Sequence, residues 1–382
     1  MNHKLENYLL EVIRGHKKGI MARIVLFICS ILANIYYIGV KIRVKLYDLG
    51  IKKSHDIPCT IISIGNISVG GTGKTPITQF LARKFKARGL KVAILNRGYK
   101  AEFEGGIGLV SDGKQVLMTP KEAGDEAFML AQSLPDVPII IGSDRVVTGR
   151  YAYKHFEPDI ILLDDGFQHW KLDRDIDVVA IDATNPFSNG SMIPRGTLRE
   201  PLCSLERADV FFITKVDQVS QDEINKIRAK LDDYNHMALI FDTIHSPTYL
   251  RGLGGEINLD SNLDLSDKKV MSVSGIGNPK SFEQTLTDLG ANVVDSIRFE
   301  DHHQYQEDEI VEIFSKAIEK DVELIITTEK DAVSMSSELV VKIKEQSIDV
   351  KVLGIEVEVL GEEVRIETLL SKMEGRRWKT RK

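Results

Sequence analysis

The sequence contains little cysteine, and it has neither an internal repeat nor a low-complexity tract. Cys29, Cys59 and Cys203 are widely separated and match no metal-binding spacing and no disulfide framework, which favours a reducing compartment. Hydrophobic residues make up 43% and charged residues 28% of the 382 positions, which excludes a disordered or fibrous chain and is typical of a soluble globular enzyme. At this length we expect two domains with an appendage.

The N-terminal region contains an uncharged run from residue 24 to residue 40, at the lower limit of what crosses a bilayer. Polar residues recur along it at helical spacing and share one face, namely Arg23, Ser30, Asn34, Tyr37 and Lys41. This pattern predicts an amphipathic helix that lies in a membrane interface, within residues 1–50. A cleaved signal peptide is disfavoured because no small-residue cleavage pattern precedes Lys41, whereas a helix packed on the soluble body stays an alternative.

Positive charge is concentrated in the same region. Residues 1–53 carry ten Lys or Arg against three acids, so this segment has a net charge of +7 and the remaining chain −13. A basic end on an acidic body predicts contact with an anionic partner, either nucleic acid or lipid headgroups.

The stretch "SIGNISVGGTGKTP" lacks the first glycine of the strict phosphate-loop pattern, because Ser68 occupies that position. Otherwise the context fits: an apolar run precedes it, helical spacing follows, and the Gly-Lys-Thr sequence stands between them. Glycines let backbone N–H groups converge on a phosphate, Lys74 would reach the β- and γ-phosphates, and Thr75 would bind Mg²⁺. The expected nucleotide-binding residues are Ser68, Val69, Gly70, Gly71, Thr72, Gly73, Lys74 and Thr75.

Two adjacent acids, Asp164 and Asp165, follow the short apolar run 160–163, which is typical of a buried parallel strand. Ligands bind at the carboxyl edge of such a sheet, and two neighbouring carboxylates there repel each other unless a cation is present. Mg²⁺ beside a nucleotide is the cation we expect, with a solvated turn at Gly166 as the alternative.

Further strand-like runs alternate with helical stretches, which predicts a doubly wound, mostly parallel α/β sheet. We place this phosphate-loop domain at residues 51–236 and a smaller α/β domain at 237–382. Two strand-like segments, 237–250 and 351–358, flank that second unit, and we expect them to pair as a two-stranded link between the domains.

The segment "TKVD" at 214–217 resembles the guanine-reading loop of GTP-binding proteins, although Thr214 stands where that loop has asparagine. A phosphate-loop GTPase or ATPase that acts as a switch or maturation factor is therefore the alternative function. A kinase additionally needs a group that activates an acceptor hydroxyl.

Several motifs together resemble the tetraacyldisaccharide 4'-kinase family, the lipid A kinases of Gram-negative bacteria, over about residues 20–335. They are "GNISVGGTGKTP", "NRGYK", "GDEAFML", "GSDR", "LLDDGFQHWKLDRDIDVVAID", "GSMIPRGTLREPL", "ADVFFITKVD", "FEDHHQY" and "TTEKDAV". In that family the position of Ser68 also carries serine. The resemblance implies ATP- and Mg²⁺-dependent phosphorylation of the 4'-hydroxyl of tetraacyldisaccharide 1-phosphate at the cytoplasmic face of the inner membrane. The implied partners are this lipid and the membrane surface, with no nucleic acid and no evident protein partner.

The resemblance also implies roles for individual residues. Asp125 and His302 resemble the pair that deprotonates the hydroxyl, with the adjacent His303 as an alternative to His302. With them, the catalytic set comprises Lys74, Arg145 and Arg199. The metal-binding set comprises Thr75, Asp164, Asp165 and Glu200, and the substrate-lining set comprises Glu126, Gln168 and His169. We expect closure of the smaller domain to bring His302 across the nucleotide site.

Overall fold

The structure is a computed structural model that describes residue 12 and residues 17–254, 263–301, 303–361 and 363–375. Twelve strands of the described residues form one sheet in the order β10-β9-β11-β12-β8-β7-β6-β1-β5-β2-β4-β3. The strands are β1 (Thr60–Gly65), β2 (Val92–Asn96), β3 (Gly108–Asp112), β4 (Pro138–Ile141), β5 (Ile160–Asp164), β6 (Ile176–Asp182), β7 (Val210–Thr214), β8 (Leu239–Gly252), β9 (Lys269–Ser274), β10 (Asn292–Arg298), β11 (Leu324–Thr328) and β12 (Asp349–Val359).

Neighbouring strands are parallel except at two places, where β3 pairs antiparallel with β4 and β8 pairs antiparallel with β12. Every residue of β1, β2, β5, β6 and β7 is buried. Strands that are apolar on both faces must be covered on both faces, which is what a doubly wound α/β sheet provides. The predicted fold class is therefore confirmed.

Helices cover the two faces of this sheet. They are α1 (Ile20–Asp48), α2 (Lys74–Ala87), α3 (Pro120–Ala123), α4 (Asp125–Ser133), α5 (Arg145–Phe156), α6 (Gln221–Tyr234), α7 (Pro279–Asp288), α8 (Glu307–Glu319), α9 (Glu329–Ser334), α10 (Ser337–Lys344) and α11 (Glu363–Gly375). Phe85 of α2 and Leu130 of α4 pack with Phe212 of β7 in one core cluster, while Phe211 of β7 points into the cluster on the opposite face.

The sheet has two parts, the phosphate-loop part with β1 to β7 and the second part with β9 to β12, and strand β8 belongs to both. Its first residues, 239–242, pair in parallel with β7, and residues 243–252 pair antiparallel with 351–359 of β12. The predicted pairing of the two flanking segments is thus confirmed. Strand β8 continues without interruption from its pairing with β7 to its pairing with β12. The division into two domains near residue 236 therefore stays a prediction.

The N-terminal helix α1 presents small side chains to the body and leaves its large ones outside. Ala22, Cys29 and Ala33 are buried. Its exposed large hydrophobic residues are Ile20, Met21, Ile24, Phe27, Ile28, Ile31, Leu32, Ile35, Tyr36, Tyr37, Ile38 and Ile42. Within the described residues this helix is long and apolar enough to cross a membrane, with a mean hydropathy of 1.9 in its most apolar window. The uncovered apolar surface disfavours the alternative that the body buries this helix.

Candidate active site

The phosphate loop lies between the end of β1 and the start of α2, at the carboxyl edge of the parallel strands. Gly73, the residue before α2, has a φ of 86°, a left-handed conformation that favours glycine. Asn66 donates a hydrogen bond to the hydroxyl of Thr72 at 2.8 Å, which connects the two ends of the loop. Lys74 and Thr75 begin α2, so both stand at the positive end of its dipole.

Asp164 is the last residue of β5 and is 1% exposed. Its carboxylate accepts hydrogen bonds from Thr78 at 3.0 Å and from Asn96 at 2.8 Å. Burial, reinforced by the nearby charge of Glu126, raises the pKa of Asp164 to about 7. Nearby positive charge does not offset the burial of this carboxylate, so a bound cation would stabilise its ionised form.

Asp165, the next residue, lies in the opposite electrostatic situation. Arg199 donates two hydrogen bonds to its carboxylate, at 2.7 and 3.1 Å, and the Lys74 ammonium lies 3.7 Å from it. Burial would raise the pKa of Asp165, but Lys74 and Arg199 outweigh burial and hold the pKa at about 2. Asp165 is therefore ionised at neutral pH and joins the phosphate loop to Arg199.

The oxygen ligands at this edge suit a magnesium ion that phosphates and water also bind, rather than a metal ion held by protein side chains alone. The described part of the chain contains no group of three or more His, Cys, Asp or Glu side chains that could hold a metal. Mg²⁺ at nucleotide sites is usually bound by one or two carboxylates together with phosphates and water, which Asp164, Asp165 and the Thr75 hydroxyl can satisfy. Glu200 instead pairs with Arg207, at 2.8 and 3.3 Å, so its metal-binding role stays a prediction.

Three buried polar atoms near the acid pair have no hydrogen-bond partner within the described ranges: Arg145 Nε, Gln168 Oε1 and His169 Nε2. Arg145 is only 3% exposed, and burial lowers its pKa to about 10, so it stays cationic. Burial and then the charge of Arg145 lower the pKa of His169 to about 4, so its imidazole is neutral. Buried polar atoms without partners are rare, and here they indicate a place for a polar ligand.

Asp125 is the first residue of α4, directly after the N-cap residue Gly124, and is buried. Glu126 lies beside it and lines the cavity above the phosphate loop. Asp125 and Glu126 thus stand at the same sheet edge as the acid pair.

The predicted base His302 lies outside the described residues, but its neighbours on both sides are described. Asp301 pairs with Lys330 at 2.6 Å, and both line the cavity. The His303 imidazole is 2.8 Å from Glu309 and stacks on Phe299, with ring centroids 4.4 Å apart. Glu309 and Phe299 therefore already engage His303, and the choice of His302 as the reactive imidazole stays a prediction.

The cavity is shared by the two parts of the sheet. On one side are the phosphate loop and Glu126, and on the other are Gly277, Asn278, Phe282, Asp301 and Lys330. Gly277 approaches the phosphate loop so closely that a Cβ there would lie 2.6 Å from the Gly71 nitrogen. Only glycine permits this contact.

Sequence reasoning missed His245, a residue of β8 whose Nε2 is buried and lacks a hydrogen-bond partner among the described residues. Its Nε2 lies 3.0 Å from where a Cβ on Gly73 would stand. Burial, followed by the charge of Lys215, lowers the pKa of His245 to about 4. No local pattern marks this residue, because only the pairing of distant strands brings it to the loop.

A phosphate loop, an acid pair at the carboxyl edge and a cavity shared by two α/β units define a phosphate-loop phosphotransferase. A family model described as tetraacyldisaccharide-1-P 4'-kinase matches residues 25–374. The chain belongs to the tetraacyldisaccharide-1-P 4'-kinase family, which confirms the resemblance seen in the sequence.

Individual relatives agree with this assignment. The chain is 42% identical over 358 residues to a tetraacyldisaccharide 4'-kinase of Halothermothrix orenii, covering 91% of this chain and 93% of the relative. It is 39% identical over 307 residues to one from Syntrophus aciditrophicus, covering 79% and 82%. Among solved structures, LpxK from Aquifex aeolicus in complex with ATP matches with a TM-score of 0.68 at 28% identity, covering 90% of this chain and 97% of that one.

Proposed function

We propose that this protein transfers the γ-phosphoryl group of ATP to the 4'-hydroxyl of tetraacyldisaccharide 1-phosphate in lipid A biosynthesis. One observation carries the proposal: Asp165 contacts both Lys74 of the phosphate loop and Arg199, beside buried polar atoms that have no hydrogen-bond partner among the described residues. Membership of the kinase family favours this function over a GTPase or ATPase switch, which rests on the partial "TKVD" match alone.

The residues from Gly70 to Thr75 bind the β- and γ-phosphates through backbone N–H groups and the N-terminus of α2. The Lys74 ammonium lies 3.7 Å from the Asp165 carboxylate, which is a loose pairing, so a phosphate oxygen can replace Asp165 as the partner of Lys74. Thr75, Asp164 and Asp165 would hold Mg²⁺, which supplies positive charge to the phosphates when it is bound.

Arg199 and Arg145 stabilise negative charge on the transferring group or on the anionic acceptor. Arg199 is already oriented by two hydrogen bonds to Asp165, and Arg145 by a 3.1 Å hydrogen bond to the carbonyl of Gly142. The free Oε1 of Gln168 and the neutral imidazole of His169 are suited to hydroxyl or amide groups of the sugar, with Glu126 at the cavity wall.

Asp125 and His302 remove the proton of the acceptor hydroxyl. A carboxylate beside an imidazole fixes its tautomer and raises its basicity toward neutral pH. Asp125 comes from the phosphate-loop part of the sheet and His302 from the second part, so the pair forms when the two approach. That approach also excludes water, which would otherwise accept the phosphoryl group.

The acceptor reaches the site at the cytoplasmic face of the inner membrane, where α1 holds the enzyme as a peripheral or monotopic protein. The proposal is supported by the exposed apolar side chains of α1 and by its contact with the site, since the Tyr36 hydroxyl donates to the Arg199 carbonyl at 3.1 Å. Tyr47 stacks on Trp170, directly after His169.

Membrane attachment is tested by co-sedimentation with vesicles that contain anionic lipid. We expect Ile28→Asp with Ile35→Asp to weaken binding at least tenfold, since both side chains are half-exposed or more and would enter the bilayer. Ile318→Asp, an exposed apolar site on α8, is the matched control. A protein that stays wholly soluble beside anionic vesicles would contradict attachment.

The reaction is tested with purified protein, radiolabelled ATP, tetraacyldisaccharide 1-phosphate and Mg²⁺ in detergent micelles, with unlabelled GTP as competitor. We expect label in the lipid and little competition by GTP. Guanine-specific hydrolysis without lipid labelling would favour the switch instead.

A further inference from the structure

The "TKVD" segment has a place in the structure that its resemblance to a guanine-reading loop does not predict. The Thr214 hydroxyl donates to the carbonyl of Thr72 at 3.1 Å. The Lys215 ammonium donates to the carbonyl of Gly71 at 3.2 Å and pairs with the carboxylate of Asp182. Two consecutive carbonyls of the phosphate loop are thus bonded to side chains at the end of β7.

These bonds determine which way the loop amides point. A trans peptide unit is planar, so its C=O and N–H groups point in opposite directions. When Thr214 draws the carbonyl of Thr72 toward β7, the N–H of Gly73 in the same peptide unit turns away from β7, toward the open side of the loop. A phosphate-binding nest depends on such oriented N–H groups.

Thr214 and Lys215 form a clamp on the phosphate loop, and Lys215 is itself held in place. Lys215 has a φ of 58°, a left-handed conformation that non-glycine residues seldom adopt, and its buried ammonium is fixed by Asp182. Asp182 also accepts hydrogen bonds from the backbone and hydroxyl of Thr184, at 2.9 and 2.6 Å. Asn278, the N-cap of α7, donates to that hydroxyl at 2.9 Å, so the bonds extend from the phosphate loop to the second part of the sheet.

We propose that Thr214 and Lys215, with Asp182 behind them, are positioning residues that hold the phosphate loop in the shape that receives the nucleotide phosphates. They act through the loop, and Lys215 also lines the cavity beside it. The inference rests on the proposed function only in taking the loop as the nucleotide site.

The first test compares Thr214→Val with Thr214→Ser, because valine keeps the shape and removes the hydroxyl whereas serine keeps the hydroxyl. We expect Thr214→Val to weaken ATP binding, measured by calorimetry without acceptor, roughly fivefold, the usual loss for one neutral hydrogen bond. The KM for ATP should rise in step while the KM for the acceptor stays unchanged, and Thr214→Ser should restore both. Thr243→Val is the matched control, because that hydroxyl donates to the carbonyl of Ile213 outside the loop.

The second test removes the buried ion pair as a unit. Lys215→Met alone leaves Asp182 charged and buried without its partner, which would destabilise the fold, so Asp182→Asn accompanies it. We expect the double variant to melt within a few degrees of the wild type and to bind ATP at least tenfold more weakly. Equal weakening of ATP and AMP would mean a general loss of structure, and ATP affinity within twofold of wild type in both tests would overturn the inference.

Failure of the proposed function gives a different result. If the wild-type protein binds ATP but never labels the lipid, the proposed reaction fails and the affinity comparison still stands. If the wild type labels the lipid and Thr214→Val binds ATP normally, the reaction stands and the clamp fails.

Discussion

The charged side chains at the carboxyl edge differ in burial between the two parts of the sheet. In the phosphate-loop part, Asp164, Asp182, Arg145 and Lys215 are almost completely buried, and each has fixed hydrogen-bond or ionic neighbours. In the second part, Asp331 is buried as well, but the cavity-lining pair of Asp301 and Lys330 is nearer to solvent, with the Asp301 side chain 36% exposed. The charged groups that face the site are thus buried and hydrogen-bonded at the first edge, whereas the Asp301–Lys330 pair of the second edge is partly exposed.

This difference follows from the cost of burying charge. A charge can be buried only where partners are already oriented, and such a site loses little free energy in reorganisation when phosphates bind. An exposed pair such as Asp301–Lys330 contributes little to stability and can change partners cheaply. We call the first edge, with Asp164, Asp182, Arg145 and Lys215, the rigid edge and expect it to bind the phosphates. We expect His302, which follows Asp301 in the sequence, to come from the more adaptable second edge.

The largest expected effect comes from breaking the rigid edge. Lys74→Ala or Asp165→Ala should reduce turnover of the lipid below detection, because each removes a contact to the phosphates or the metal. Asp165→Ala also removes the carboxylate that orients Arg199. Lipid phosphorylation measures this. Lys268→Ala, whose exposed ammonium pairs with Glu323 far from the cavity, is the control and should keep wild-type turnover. Residual activity within tenfold of wild type in Lys74→Ala would contradict the role of the loop.

The second prediction takes one residue from each edge. Asp125→Ala and His302→Ala should each slow turnover by about 10² to 10⁴-fold, the usual range for a general base. If the two act as one unit, the double variant should lose little more than the slower single variant. Losses that multiply strictly would show that the two residues act separately. Single-turnover rates at saturating ATP separate this step from binding.

Much of the rigid edge could be predicted from the sequence because its signals are local. The apolar run before Asp164 and Asp165, and the Gly-Lys-Thr sequence before a helical stretch, each lie within one short window. A resemblance spread over nine motifs then supplied residues such as Arg145 that no window marks.

The remaining contacts could not be predicted because they join residues distant in the chain. The contacts of Lys215 and Gly277 with Gly71 depend on the order of the strands in the sheet, which the periodicity of the sequence does not encode. Glu200 is an example: the family resemblance implies a metal ligand there, and the sequence did not indicate that Arg207, seven residues on, pairs with it.

The third prediction sharpens the comparison through two partly buried histidines of the rigid edge, His245 and His169, whose Nε2 atoms are buried. Burial lowers each pKa to about 4 from 6.5, so the unfolded chain binds more protons than the folded one between these values. Each histidine should therefore reduce stability as pH falls from 6.5 to 4, by up to about 3 kcal/mol. Urea unfolding from pH 4 to pH 8 should show His245→Phe losing less stability toward acid than the wild type. A parallel slope in both proteins would contradict a neutral, buried His245.

The smallest expected effect concerns the contact between α1 and the rigid edge. Tyr36→Phe removes only the hydroxyl that donates to the Arg199 carbonyl, and a partly exposed hydrogen bond of this kind contributes about 1 kcal/mol or less. Because the Arg199 side chain keeps both bonds to Asp165, ATP affinity should not change. The KM for lipid in vesicles should rise about two- to threefold, since the helix then aligns the site with the membrane less well. Tyr37→Phe, on the neighbouring position, is the control. If Tyr36→Phe changed the affinity for ATP instead, α1 would belong to the rigid edge rather than to the delivery of the acceptor.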